Sequence, residues 1–133
     1  MMTTRVATCR CGQLRATCSG EPVRVSVCHC LECKKRTGSA FSYQARWPDD
    51  RVEIIGDHKS WSRTGDGGGR VTYRFCPICG STVAYAIDDM AGVTAIPAGA
   101  FADPSFPAPK FSVYEERKHD RVAVLGDQVE HMD

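Results

Sequence analysis

The chain has 133 residues, 42% of them hydrophobic and 25% charged, with a formal net charge of +1 at pH 7. That length predicts one domain over residues 1–133, and the balanced charge excludes a polyanion binder with a basic stripe, so no nucleic-acid partner is expected. The amino terminus, MMTTRVATCRCG, has no apolar stretch of signal-peptide length, and nowhere do about 18 apolar residues run together, so no membrane partner and a cytoplasmic location are expected.

In chain order the first feature is Cys9-Arg10-Cys11-Gly12. Residues i and i+2 of extended chain face the same way, so both sulfurs can meet one metal ion. Leu14, Ala16 and Cys18 then alternate with Arg15 and Thr17, and Val23, Val25 and Val27 repeat the pattern, which predicts two half-buried strands. Next comes Cys28-His29-Cys30-Leu31-Glu32-Cys33, followed by Lys34-Lys35-Arg36. A helix of one or two turns is predicted from Leu31 to Arg36, stopped by Gly38. Further strands are predicted at Phe41 to Trp47, Val52 to Ile55, Lys59 to Arg63, Val71 to Phe75, Thr82 to Ile87, Val93 to Pro97 and Phe111 to Tyr114. Turn chemistry separates them at Pro48 to Asp50, Gly56, Gly65 to Gly69 and Asp88. Between the fourth and fifth of these strands lies a second knuckle, Cys76-Pro77-Ile78-Cys79-Gly80. The proline-rich stretch Gly99 to Lys110 cannot be a central strand; it reads either as a plain connection or as an ordered loop anchored by Phe101 and Phe106. The charged tail after Tyr114 has one apolar run, Val122 to Leu125, with the length of a last short strand. The expected fold is mainly β, with short antiparallel strands and one short helix after the Cys28-x-Cys30 motif.

In a reducing compartment the eight cysteines read as metal ligands or reactive thiols rather than disulfides. Two glycine-terminated knuckles, Cys9/Cys11 and Cys76/Cys79, make a closed tetrahedral Cys₄ zinc site that clips a long loop. The other four leave two arrangements open. Cys18, Cys28, Cys30 and Cys33 make a second closed site, or Cys18 is a small buried hydrophobe and Cys28, Cys30 and Cys33 bind zinc with an open fourth position, as catalytic zinc needs. His29, flanked by two ligand candidates, is expected to point away from them as a satisfied or solvent-facing histidine. His58, His119 and His131 read as surface residues. The basic run is either a solvated face or a set of cations that stabilises an incoming anionic ligand. Seven thiolates on two Zn²⁺ ions would move the net charge only to −2.

These motifs, with YRFCPICGS at Tyr73 to Ser81, KKRTGSAF after Cys33 and PAGAFADP at Pro97 to Pro104, resemble the glutathione-dependent formaldehyde-activating enzyme family, which also includes centromere protein V. The match runs from Cys9 to about Glu130. The resemblance implies a β-tent fold with two zinc ions. Cys9, Cys11, Cys76 and Cys79 match the structural ligands, Cys28, Cys30 and Cys33 match the catalytic ones, and Cys18 matches none. It further implies a carbon-sulfur lyase of the S-(hydroxymethyl)glutathione synthase type. A thiol such as glutathione would take the open zinc position as a thiolate, next to formaldehyde or a related small aldehyde. No protein nucleophile is required by this chemistry, and no Ser/His/Asp arrangement competes with it. The alternative is a non-catalytic zinc module that binds or carries thiol conjugates or a protein partner. Two departures bear on the ligand: Phe101-Ala102-Asp103 stands where the family often has a leucine-aspartate pair, and His119 to Val122 lacks a common tryptophan.

Overall fold

The structure, a computed structural model, describes residues 2–65 and 67–133. Its first strand, β1 (Thr4–Thr8), was not expected from the sequence, because only Ala7 of this segment is buried and the apolar signal is weak. The ladder explains it: β1 pairs antiparallel with β2 (Arg15–Ser19), which pairs antiparallel with β5 (Val52–Ile55) in a three-stranded sheet. Registers Ala7↔Ala16↔Ile54 and Cys18↔Val52 place apolar side chains on one face, with Arg5 at its edge over the Phe106 ring, while Thr8, Arg15 and Ile55 share the other.

The remaining strands form an eight-stranded sheet. Its members are β3 (Arg24–Cys28), β4 (Ser42–Pro48), β6 (Lys59–Thr64), β7 (Arg70–Phe75), β8 (Thr82–Ile87), β9 (Val93–Pro97), β10 (Phe111–Val113) and β11 (Glu130–His131), in the order β11-β10-β3-β4-β9-β8-β7-β6. Pairing is antiparallel except at β10, which lies parallel to both β3 and β11. Val122–Leu125 is not the last strand: Leu125 is 82% exposed, and Glu130–His131 joins β10 instead. An apolar run of four cannot displace a segment whose backbone is better placed, and here Glu130 N–H bonds Lys110 O and Met132 N–H bonds Ser112 O. Of the Gly65 to Gly69 turn, Asp66 lies outside the described residues; Gly65 N–H meets Gly69 O at 2.6 Å as β6 returns into β7.

The two faces of the large sheet do different work. One carries Val25, Ala45, Trp47 and Ile96 and packs on the apolar face of the small sheet, forming a core with Ala7, Leu14, Ala16 and Cys18. Trp47 is fully buried and donates its indole N–H to Gly20 O at 2.9 Å. The loop after β9 is ordered by its aromatics: Phe101 packs on Trp47, with ring centroids 5.6 Å apart, and stacks on Phe106 at 4.9 Å. The opposite face is polar near β3 and β4 (Ser26, Cys28, Ser42, Gln44, Arg46) and aromatic near β6 to β8 (Trp61, Tyr73, Tyr85).

Gly56 fixes the bend between β5 and β6 beneath the first cysteine knuckle. Its φ is +112°, and a Cβ there would meet Gln13 O at 2.1 Å and Leu14 Cα at 2.9 Å. Both obstacles are backbone, so neither can swing aside. Gly56→Ala is expected to destabilise the protein by about 2–4 kcal/mol. Thermal unfolding checks this; a melting temperature within roughly 3 °C of wild type would show that the bend tolerates another conformation.

Candidate metal centres

The eight thiols divide as the fold brings them together. Cys9 and Cys11 follow β1 in a turn whose Gly12 has φ +88°, and Cys76 and Cys79 lie between β7 and β8, where Gly80 has φ +80°. Residues so distant in sequence meet because the small sheet docks against this end of the large one. All four Sγ atoms lie within 4.8 Å of one another, with Cys11 Sγ 3.6 Å from Cys9 and 3.7 Å from Cys76.

Backbone amides point at these sulfurs. Leu14 N–H reaches Cys9 Sγ at 3.3 Å, and Ile78 and Cys79 N–H groups reach Cys76 Sγ at 3.3 and 3.5 Å. Gln13 Nε2 adds a donor to Cys76 Sγ at 3.0 Å. Backbone donors from Ser81 and Cys11 hold the Cys79 thiol down to about 5. Cys11 is raised to about 11: the Gln13 backbone donor favours its thiolate but is outweighed by desolvation and by the sulfurs of Cys9, Cys76 and Cys79. Four sulfurs this close cannot all ionise unless a cation joins them, and four thiolates with amide donors are a zinc donor set. The group can hold a metal ion.

The second group is built where β3 runs into α1 (Leu31–Thr37). Cys28 ends β3, held between Ser42 of β4 and Val113 of β10. Cys30 caps α1, its sulfur accepting from Cys33 N at 3.3 Å, and Gly38 (φ +66°) ends the helix with its N–H on Lys34 O at 2.8 Å. The Sγ atoms of Cys28, Cys30 and Cys33 lie within 4.8 Å of one another. Hydrogen bonds from Cys28 and Cys30, with further help from Ser42 and Arg36, lower Cys33 to about 2, and the same sharing raises Cys28. Cys33 is therefore a ready thiolate, while Cys28 favours its protonated form until a cation displaces the proton. This group, too, can hold a metal ion, and it offers three protein ligands.

Cys18 belongs to neither group. It sits on β2 in the apolar core, fully buried, and desolvation raises its thiol to about 12. His29 also stands apart from the sulfurs: it is fully buried and its Nε2 pairs with Ser112 Oγ at 2.9 Å, while burial favours the neutral ring.

The basic run splits. Lys34 donates to Arg117 O, whereas Lys35 and Arg36 line a cavity of about 500 Å³ with Glu32, Trp61, Arg63 and Tyr73. The Arg36 guanidinium lies 4.9 Å from the Tyr85 ring centroid and 5.8 Å from that of Tyr73, and Trp61 stacks on Tyr73 at 6.1 Å. Arg63 also lines a smaller recess of about 160 Å³ that Cys30 and Tyr114 border. Arg63 thus joins the larger cavity to the cysteine group. Tyr85, whose phenol is raised by burial, lies in the field of Arg36 and Arg46 on one side and Cys33 and Cys28 on the other.

Trp61, Arg63, Tyr73 and Glu32 were not among the candidates read from the sequence. Trp61 and Arg63 share one face of β6 by period-2 alternation, but only the sheet order, with β6 and β7 beyond β8, brings that face over α1.

Among solved structures, the chain is similar to the crystal structure of a Rhodobacter sphaeroides protein determined as a structural-genomics target. The two share 15% identity over 71% of this chain and 85% of that one, with a TM-score of 0.57, which shows likeness of fold. No curated protein matches the chain. The sequence model of the glutathione-dependent formaldehyde-activating enzyme family matches residues 4–117. By that match, and in agreement with its mainly β fold, single helix and two cysteine groups, the chain belongs to the glutathione-dependent formaldehyde-activating enzyme family.

Proposed function

We propose that the protein, acting as one domain, is a zinc-dependent carbon-sulfur lyase resembling S-(hydroxymethyl)glutathione synthase. In this reading Cys9, Cys11, Cys76 and Cys79 hold a structural Zn²⁺, and Cys28, Cys30 and Cys33 hold a second Zn²⁺ with a position left for a substrate thiol. The observation that carries it is the difference in sulfur number between the groups: four thiols gathered in one, against three in the other, where Cys30 borders a recess shared with Arg63. Four thiolates complete a tetrahedral zinc site, whereas three leave one position for a ligand the protein does not supply.

The reaction joins a thiol sulfur to the carbonyl carbon of formaldehyde or a related small aldehyde. An S–C bond forms, the carbonyl π pair moves to oxygen, and that oxygen takes up the proton the thiol has released. Bound at the three cysteines, zinc supplies a positive charge that lowers a thiol's pKa and orients its sulfur. The chain's own residues do the rest. Lys35, Arg36 and Arg63 offer charge to the carboxylates of a glutathione-like thiol, Glu32 accepts from its ammonium, and Trp61 with Tyr73 gives its peptide planes a stacking surface. His29 and Cys18 are outside this chemistry, since each is buried away from the cavity.

The test is exchange of formaldehyde between free and thiol-bound forms, followed by NMR with the zinc-loaded protein. Exchange faster than in buffer is expected, with Arg63→Gln raising the KM for glutathione about tenfold and leaving that for cysteamine, which lacks carboxylates, within about twofold. No acceleration over buffer with any small thiol would sink the lyase reading and leave a zinc module that carries thiol conjugates.

A further inference from the structure

The recess that Cys30 borders is far smaller than the neighbouring cavity, about 160 Å³ against about 500 Å³, and Arg63 lines both. Pockets for drug-sized ligands run to about 300–1,000 Å³ and a water molecule takes about 30 Å³, so the recess holds the volume of about five waters. A peptide thiol does not fit there.

Its walls are of two kinds. Val71 and Ile87 supply an apolar side; they stand directly opposite each other across the β7–β8 ladder, Val71 buried and Ile87 half-buried, so strand pairing fixes their spacing. The facing side is the glycine turn with the Asp89 carboxylate laid against it. A Cβ at Gly69 would meet all three carboxylate atoms at 2.6–2.8 Å, and one at Gly67 would stand 3.7 Å from Asp89 Oδ2. Tyr114 completes the rim from a backbone conformation that bulky residues avoid, φ +57° and ψ +41°. The surrounding chain holds it there: Val113 O accepts from His29 N–H and Tyr114 O from Arg117 N–H, both at 3.0 Å.

We propose that this recess is the aldehyde subsite of the reaction proposed above, and that Val71 and Ile87 are the residues that limit its substrate to aldehydes of about one to three carbons. This rests on the lyase reading. Joining a thiol to an aldehyde requires room for two molecules of unequal size, and Arg63 stands where the two spaces meet. The carbon end of the aldehyde meets the apolar side, and its oxygen faces the rim of Arg63, Asp89 and Tyr114. The bond made is S–C; the carbonyl π pair passes to oxygen, which takes the thiol's proton, and no protein side chain changes its charge.

The experiment uses the full chain loaded with zinc, glutathione, and an aldehyde series from formaldehyde to butanal. Ile87→Ala should raise kcat/KM for butanal relative to formaldehyde about tenfold, because one methylene of pocket decides about 10–200-fold in selectivity. Gly67→Ala, whose added methyl stands in ordinary contact with Asp89, should lower the ratio of acetaldehyde to formaldehyde about threefold. It also keeps the test open should Ile87→Ala unfold. A second readout needs no turnover: in the wild-type protein the methyl NMR signals of Ile87 should move with S-(hydroxymethyl)glutathione, formed from glutathione and formaldehyde, and stay in place with glutathione alone. Unchanged aldehyde ratios in folded variants, or Ile87 methyls that glutathione alone moves as far, overturn the subsite while the lyase reading stands. Exchange no faster than in buffer with every aldehyde overturns both.

Discussion

Stripping the Cys9/Cys11/Cys76/Cys79 group of metal, by chelator or by Cys76→Ser, is expected to unfold the protein near physiological temperature. Cys9 and Cys76 are core members, 2% and 0% exposed, packed with Leu14, Ala16 and Val83 where the two sheets meet. A metal there joins residue 9 to residue 79 and ties the small sheet to the large one. Small domains have about 5–15 kcal/mol of net stability, and structural zinc sites contribute apparent free energies of about 10–16 kcal/mol. Loss of the ion therefore removes as much as the fold possesses, and leaves unsatisfied sulfurs beside the core. The expected drop in melting temperature is on the order of 20 °C or more. Circular dichroism melts of zinc-loaded, chelator-treated and Cys76→Ser protein measure it. A melting temperature unchanged to within about 5 °C after verified metal loss would mean that apolar packing alone holds the sheets together.

How much of this was legible in the sequence follows from the range of each interaction. β2, β3 and β5 to β9 carry their own alternation, and α1 carries its own stop at Gly38, so local pattern sufficed. β1 and β11 do not: Thr4–Thr8 buries one small residue, and Glu130–His131 is exposed, so both exist only because a partner strand offers unpaired backbone groups. The cysteine groups were legible because thiol chemistry demands short spacings, and a knuckle announces its ligands within four residues. Spacing left the role of Cys18 open; in the structure it lies on the apolar face of β2, outside both sulfur groups. The cavity was out of reach for the opposite reason. Trp61 and Arg63 come to α1 through hairpins and sheet order.

Cys28→Ser is expected to separate function from folding. Cys28 is fixed by its ladder partners Ser42 and Val113, and a serine hydroxyl fits the same space while being a far poorer zinc ligand than a thiolate. The variant should bind one zinc instead of two, keep its melting temperature within about 5 °C, and lose lyase activity by about 10³-fold. That loss corresponds to about 4 kcal/mol of transition-state stabilisation, the scale of a metal ion's charge in a water-poor site. The contrasting variant is Cys18→Ser, which places a hydroxyl in the core and should cost about 1–3 kcal/mol of stability while both zinc ions and the activity remain. Zinc content by mass spectrometry, thermal melts and formaldehyde exchange together assign each variant. If Cys28→Ser keeps two zinc ions and full turnover, the three-cysteine group is not the reactive centre; if Cys18→Ser loses a zinc, Cys18 is a ligand. A folded Cys28→Ser protein with one zinc and no exchange activity would establish that these sulfurs serve the reaction rather than the fold.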